Sequence, residues 1–384
     1  MIAILRAEPG IVKANRSWNK KKGVEKRTEE THLLDKTLDF LLKLAKDANC
    51  ADSRIHALNI MKFIFSDTYL REDITKFITP AMILSCNEFK NENWNIRNSA
   101  LMCFTALIKR LLGTHHIQDQ DLSRRKGISA IALHYYFNQL LSYFGQKLET
   151  STSKVDKEKQ DMTKFSIMLL LSRLVPYSFC GVQESKKDLI NTDFRSHISH
   201  ICDLIRQQSG NSTYFVRKIS AQALLPLLEF KDWLPEVSSC LQQLKEKSLK
   251  QNEAHGLMLR VNIFLQAYFQ YRRVAIVPEE FGSFTEQESK IVSELIGFLA
   301  HLQNFTKCSK ITWALFVQTF RHFLCEVELP RDQLESLNNQ FTALFTETVK
   351  CEGGVPLDQQ TYVEEMLAIR IELLTQLDKT YDLA

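Results

Sequence analysis

The residues of this chain best equipped to bind something are basic. Arg97 and Arg110 lie in one helical segment, WNIRNSALMCFTALIKRLLG at 94–113, and Arg124, Arg125 and Lys126 close the polar loop after it. A guanidinium presents a rigid fork of donors that matches carboxylates and phosphates. Arg97 falls on the apolar side of its segment, one turn before Leu101, where it needs acceptors to offset burial. Framework carbonyls would make it a structural arginine between repeats. A concave face would instead aim it at RNA or at an acidic partner. Arg110 and the 124–126 run would extend such a face. The run itself reads as a solvated loop end or, placed between two well-formed helices, as a contact. The polar stretch 11–30, with Lys13, Arg16, Lys20, Lys21, Lys22, Lys26 and Arg27, divides the same way between a solvated loop and an arm that touches phosphates.

Bond-making chemistry has no comparable foothold. The chain contains no GxG, GxxxxGK[ST], GxSxG or HExxH pattern. No cofactor site is therefore expected. His197, His200 and Cys202 are the nearest approach to a metal cluster, but on a helix residue 202 points away from the other two, and no metal site is expected. His115 and His116 read as solvated. His56 and His255 read as packing histidines ahead of apolar helix runs. The aromatics between Tyr135 and Phe144 sit at helical spacing and read as core. No catalytic residue is assigned.

The elements that must position these groups are helices. In 94–113, Leu101, Phe104, Ile108 and Leu111 recur three or four residues apart. The segment YFVRKISAQALLPLL at 214–228 aligns with 94–108 without a gap: Tyr214 stands for Trp94, Val216 for Ile96, Arg217 for Arg97. A weaker echo begins at Arg54 (RIHALNIMKFIF). An aromatic, then an arginine three residues on, then small residues and a leucine-rich face is the grammar of HEAT-type repeats. The fold class expected is all-α, an α-solenoid of HEAT/armadillo-like repeats. Helices are predicted over 31–48, 52–66, 74–89 (kinked or broken at Pro80), 94–112, 129–148, 163–174, 197–207, 213–229 (kinked at Pro226), 233–250 and 255–271. Four more follow over 287–303, 309–325, 331–350 and 358–378. In the first, Leu34, Leu38, Leu41 and Leu42 form the buried stripe. A polar linker at 151–162 separates repeats in 1–150 from those in 163–384.

Composition agrees. With only 12 Gly and 8 Pro in 384 residues, the chain lacks the turns a large sheet protein needs. It is 45% hydrophobic, enough for an extended core. A net charge of +4 does not by itself indicate nucleic acid. Nine cysteines without regular spacing read as reduced thiols. No signal peptide or membrane-length apolar run is visible, so a cytosolic protein without membrane insertion is expected.

Several blocks, in order, resemble the THADA family, which groups thyroid adenoma-associated protein with its fungal counterparts. They are AILRAEP at 3–9, HALNI at 56–60, FSDTYL at 65–70, the 94–113 segment, the basic loop ending at Gly127, YFNQLL at 136–141, RKISAQALLPLL at 217–228 and QNEAHGLML at 251–259. The resemblance covers about residues 1–270. It implies a large α-solenoid without catalytic residues. It further implies a partner subunit for an FtsJ-type methyltransferase that modifies a ribose 2′-hydroxyl in the tRNA anticodon loop. The solenoid would help present the tRNA, and the enzyme would supply cofactor and catalytic groups. The animal branch has also been linked to a calcium pump of the SERCA type, the alternative reading. Family members are several times longer, which implies a C-terminal piece. The resemblance also implies an Arg-Arg-Ser-Ala-Gly stretch just upstream of AILRAEP, a position that would precede Met1.

Overall fold

The computed structural model describes residues 32–70, 73–112, 127–149, 157–176, 192–245, 249–275, 290–291, 293–297, 310–327, 329–349 and 360–382. The described residues are overwhelmingly helical. Their one β-type feature is an isolated bridge between Ser129 and Val175. The helices are α1 (His32–Asp47), α2 (Ala51–Ser66), α3 (Ile78–Glu88), α4 (Trp94–Leu112), α5 (Ala130–Glu149), α6 (Lys157–Leu171) and α7 (Thr192–Arg206). There follow α8 (Tyr214–Leu224), α9 (Trp233–Leu244), α10 (Gln251–Ala275), α11 (Lys310–Leu324), α12 (Arg331–Val349) and α13 (Gln360–Asp382).

The chain divides into two compact units. Among the described residues the first holds those of 32–175 and 192–201, and the second holds Pro176 and those from Cys202 onward. In the first unit α1 packs on α2, α2 and α3 both pack on α4, and α3 packs on α5. In the second, α8 and α9 pack on α10, α10 on α11, and α11 and α12 on α13. Most of these contacts join helices one or two places apart along the chain, which is how helical repeats bury their apolar faces.

The apolar spacing explains the helices. Leu38, Leu41 and Ala45 of α1 are buried, while Leu34, Leu42 and Leu44 are half-buried at the stripe's edge. Leu58, Met61 and Phe65 of α2 are buried in the same unit, as is Phe104 of α4, whose ring meets Phe89 edge-on at 5.3 Å. The second core centres on Trp233, fully buried, ringed by Phe230, Phe264 and Tyr271. Burying one such side chain contributes roughly 1.5–3 kcal/mol.

Proline sets two boundaries. A 3-10 turn covers Thr75–Phe77 and α3 begins only at Ile78, so Pro80 lies in its first turn, where a missing N–H breaks no helical bond. The helix expected over 74–89, kinked or broken at Pro80, is divided just before Ile78 instead. Pro226 ends α8 through a 3-10 turn at Leu225–Leu227. The alignment with α4 thus holds at the front of the segment and is lost at its back.

Two expectations about exposure are corrected. The buried face of α4 runs through Ile96, Ala100, Cys103, Phe104, Leu107, Ile108 and Leu111, whereas Leu101 is exposed. Tyr135 and Tyr136 are exposed rather than core. The backbone of α5 leaves helical values at Phe137 (φ −138°, ψ 41°), and the resulting kink changes which residues face inward. Phe144, beyond the kink, is buried as expected.

Candidate functional site

The structure gives the two arginine motifs one local geometry. In the first, Asn91 Oδ1 accepts from the backbone N–H of Asn93 at 2.9 Å, which curls the loop ahead of α4. The Arg97 guanidinium folds back over that loop. Its Nη1 donates to the carbonyls of Asn91 (2.7 Å) and Glu92 (2.9 Å). In the second, Asn211 Oδ1 accepts from the N–H of Thr213 at 2.8 Å. Arg217 Nη1 donates to the carbonyls of Asn211 (2.7 Å) and Ser212 (2.9 Å). The reason is spacing. The arginine sits one turn inside the helix, so its side chain can reach back to the carbonyls five and six residues earlier.

The aromatic that opens each motif stays outside. Trp94, Tyr214 and Phe215 are 64%, 43% and 67% exposed, so the start of each repeat helix presents rings to solvent. Tyr214 and Phe215 touch edge-on at 5.6 Å.

Arg110 is also engaged with the framework. It donates to the carbonyls of Phe65 (2.8 Å) and Asp67 at the end of α2. Arg110 thus ties the last turns of α4 to the C-terminus of α2, whose final carbonyls lack helical donors. Arg97 and Arg110 serve separate joints at opposite ends of α4. Arg124, Arg125 and Lys126 lie outside the described residues, as do His115, His116, the basic stretch 11–30 and residues 151–156 of the expected linker, whose remainder, 157–162, opens α6 instead.

Sequence reading passed over two charged braces. Arg54 of α2 donates from Nε to the Ala45 carbonyl (2.9 Å) and pairs through Nη2 with Glu88 Oε2 (2.6 Å). Glu88 also accepts from Asn91 Nδ2 at 2.8 Å, which links this brace to the Arg97 loop. In the second unit Glu236 accepts from Arg206 (2.7 Å) and from Arg260 (3.0 Å), and Arg260 also donates to Ser209 Oγ. Arg260 is almost fully buried. Its signal was present as one charge inside the apolar run GLMLRVNIFL. Breaking such a buried pair is far more damaging than breaking a surface one.

His255 is a packing histidine, as expected. It is buried, its Nδ1 accepts from Arg217 Nε at 3.3 Å, and its ring lies 5.7 Å from that of Tyr214. Burial, then the adjacent Arg217 charge, pulls its pKa down to about 4. His56, by contrast, is exposed, a correction to its reading as a packed residue. His197, His200 and Cys202 are not brought together: Cys202 is buried and the two histidines are exposed. His197 instead approaches Asp193 on its own helix.

Comparison with known proteins decides the family. A model described as THADA/TRM732, DUF2428 matches residues 19–95, and one described as Trm732, C-terminal TPR repeats, matches residues 97–264. The chain belongs to the THADA/Trm732 family. Arg97 and the whole of the second motif fall in the second match, while Asn91 to Trp94 of the first motif fall in the first.

Three curated relatives illustrate the distance. The tRNA (32-2'-O)-methyltransferase regulator THADA of Gallus gallus is 25% identical over 260 residues, 65% of this chain and 13% of that protein. The tRNA (32-2'-O)-methyltransferase regulator trm732 of Schizosaccharomyces pombe is 29% identical over 260 residues, 64% of this chain and 16% of that protein. The THADA regulator of Homo sapiens is 26% identical over 243 residues, 62% of this chain and 12% of that protein. The chain therefore spans about an eighth to a sixth of the length of these relatives. No solved structure matches.

Among the described residues no helix is long and apolar enough to cross a membrane.

Proposed function

We propose that this chain contributes helical repeats to a non-catalytic regulatory subunit that supports 2′-O-ribose methylation of the tRNA anticodon loop. One observation carries the reading: two consecutive THADA/Trm732 family matches run through residues 19–264, and the curated relatives sharing this region are named as regulators of tRNA methylation. An FtsJ-type methyltransferase is the proposed partner and supplies the cofactor and catalytic groups. A stack of helices suits the subunit's task, because it can follow folded RNA by shape and phosphate contacts without reading sequence.

The basic residues then divide by role. Arg97 and Arg110 spend their guanidinium donors on framework carbonyls and hold the helices in register. Arg124, Arg125 and Lys126 take the phosphate-contact role. The decisive experiment is co-purification of the full-length protein with methyltransferase and tRNA, followed by a ribose-methylation assay with and without the regulator. Methylation that needs the regulator, and tRNA binding that weakens as salt rises, are the expected results. Charge reversal at Arg124 and Arg125 should reduce tRNA affinity several-fold without loss of helicity. Methylation independent of the regulator, or tRNA binding untouched by salt and by these changes, would overturn the proposal.

A further inference from the structure

We propose that His134, Asp193 and His197 form a binding site for a divalent transition-metal ion of the zinc class, clipping α5 to α7. One ligand atom from each of the three lies within 4.8 Å of those from the other two. Asp193 stands between the histidines. Its Oδ2 is 3.6 Å from His134 Nε2, and its Oδ1 is 3.8 Å from His197 Nδ1. Both distances are too long for good hydrogen bonds. They are close to the separation of two ligands on a tetrahedral ion, about 3.4 Å for metal–ligand bonds of about 2.1 Å. Small rotations would close the remaining gap.

A second observation points to the same place. His134 Nε2 is buried and has no hydrogen-bond partner. A buried nitrogen without a partner is destabilising, and a metal ion beside Asp193 would satisfy it. The ring is held on one side by Phe194, edge-on at 5.3 Å. The arrangement also suits entry of an ion. His134 is the inner ligand, with its side chain 15% exposed, while Asp193 and His197 are 67% and 46% exposed and face solvent. Two imidazoles and one carboxylate are a donor set that zinc and its neighbours favour over calcium or magnesium. Three protein ligands leave a fourth position for water.

Spacing supplies the rest. Asp193 and His197 lie one turn apart on α7, so a single helix face carries both. His134 comes from α5, nearly sixty residues earlier. An ion here would close a long loop, which is where a cross-link constrains the unfolded chain most.

The test uses the untagged full chain, stripped of metal by chelation and titrated with Co²⁺, whose visible absorption reports ligand number. One equivalent should bind with the bands of a four- or five-coordinate site, and Zn²⁺ should displace it. His134→Ala, Asp193→Asn and His197→Ala should each weaken binding at least tenfold. His200→Ala, on the same helix outside the cluster, should leave it unchanged. The exposed His197 keeps the test decisive should His134→Ala fail to fold. Binding no tighter than that of His197→Ala, or equal loss in His200→Ala, would overturn the proposal.

Discussion

The Arg97 and Arg217 loops share their backbone pattern but differ in what surrounds them. Arg97 is half-buried, and its loop is braced from the preceding helices through Glu88 and Arg54. Arg217 is buried, and its loop is braced by α10, through His255. The helix starts differ as well. Asn93 Oδ1 accepts from the N–H of Asn95 at 2.9 Å and caps α4, whereas Thr213 makes no side-chain cap on α8. The lesson is that an arginine folded over its own loop is a local device. Whether it also joins two repeats depends on which neighbour presents an acceptor.

The largest expected effect tests the closeness of that neighbour. A Cβ added at Gly256 would lie 2.0 Å from the Ser209 carbonyl oxygen, an impossible approach to backbone. Gly256→Ala should therefore force α10 off the 3-10 turn at Gln207–Gly210. The expected loss is about 3 kcal/mol or more, read by chemical denaturation. A neutral result would show that α10 does not sit against the second loop.

Next comes the direct comparison. Arg217→Ala should destabilise by about 2–3 kcal/mol, because two carbonyls and the His255 ring lose their donor in a buried setting. Arg97→Ala should lose about 1 kcal/mol, since water can reach its loop. Equal losses at the two positions would remove the distinction between them.

A further difference is a pH dependence that belongs to one loop alone. The folded-state pKa of His255 lies near 4, below the usual value of about 6.5 for a free histidine. Between those values the unfolded chain binds more protons than the folded one. Its contribution to stability is complete above about pH 6.5 and declines as pH falls toward 4, by on the order of 2 kcal/mol. His255→Gln, which retains an acceptor, should flatten that decline when unfolding is followed across the same range. An unchanged slope would assign the acid sensitivity elsewhere.

Much of the helical layout was legible because apolar residues recur at helical spacing and few turn residues interrupt them. The fold class, the start of α4 at Trp94 and the matching start of α8 at Tyr214 follow from local rules about spacing and breakers, whereas the kinked helix expected over 213–229 ends at Leu224. The exposure of Leu101, Tyr135 and Tyr136 was not legible. A period of three or four says which residues share a face but not which face finds a partner, and the kink at Phe137 has no strong local cause in sequence.

The candidate ligands show the same division. The helix expected over 197–207 left Asp193 outside it; the helix in fact begins at Thr192 and carries both Asp193 and His197, and His134 joins them only through packing. The sequence by itself determined that this chain is helical, where most helices begin, and that two of them open with the same aromatic-to-arginine motif. Backbone hydrogen bonding and side-chain periodicity act over a few residues and leave their mark in the local order of types. The tertiary structure alone decided that Arg217 meets His255, that Arg260 meets Glu236 and Ser209, and that His134 lies beside Asp193. Those contacts join residues tens of positions apart, and only the packing of whole helices brings them within reach.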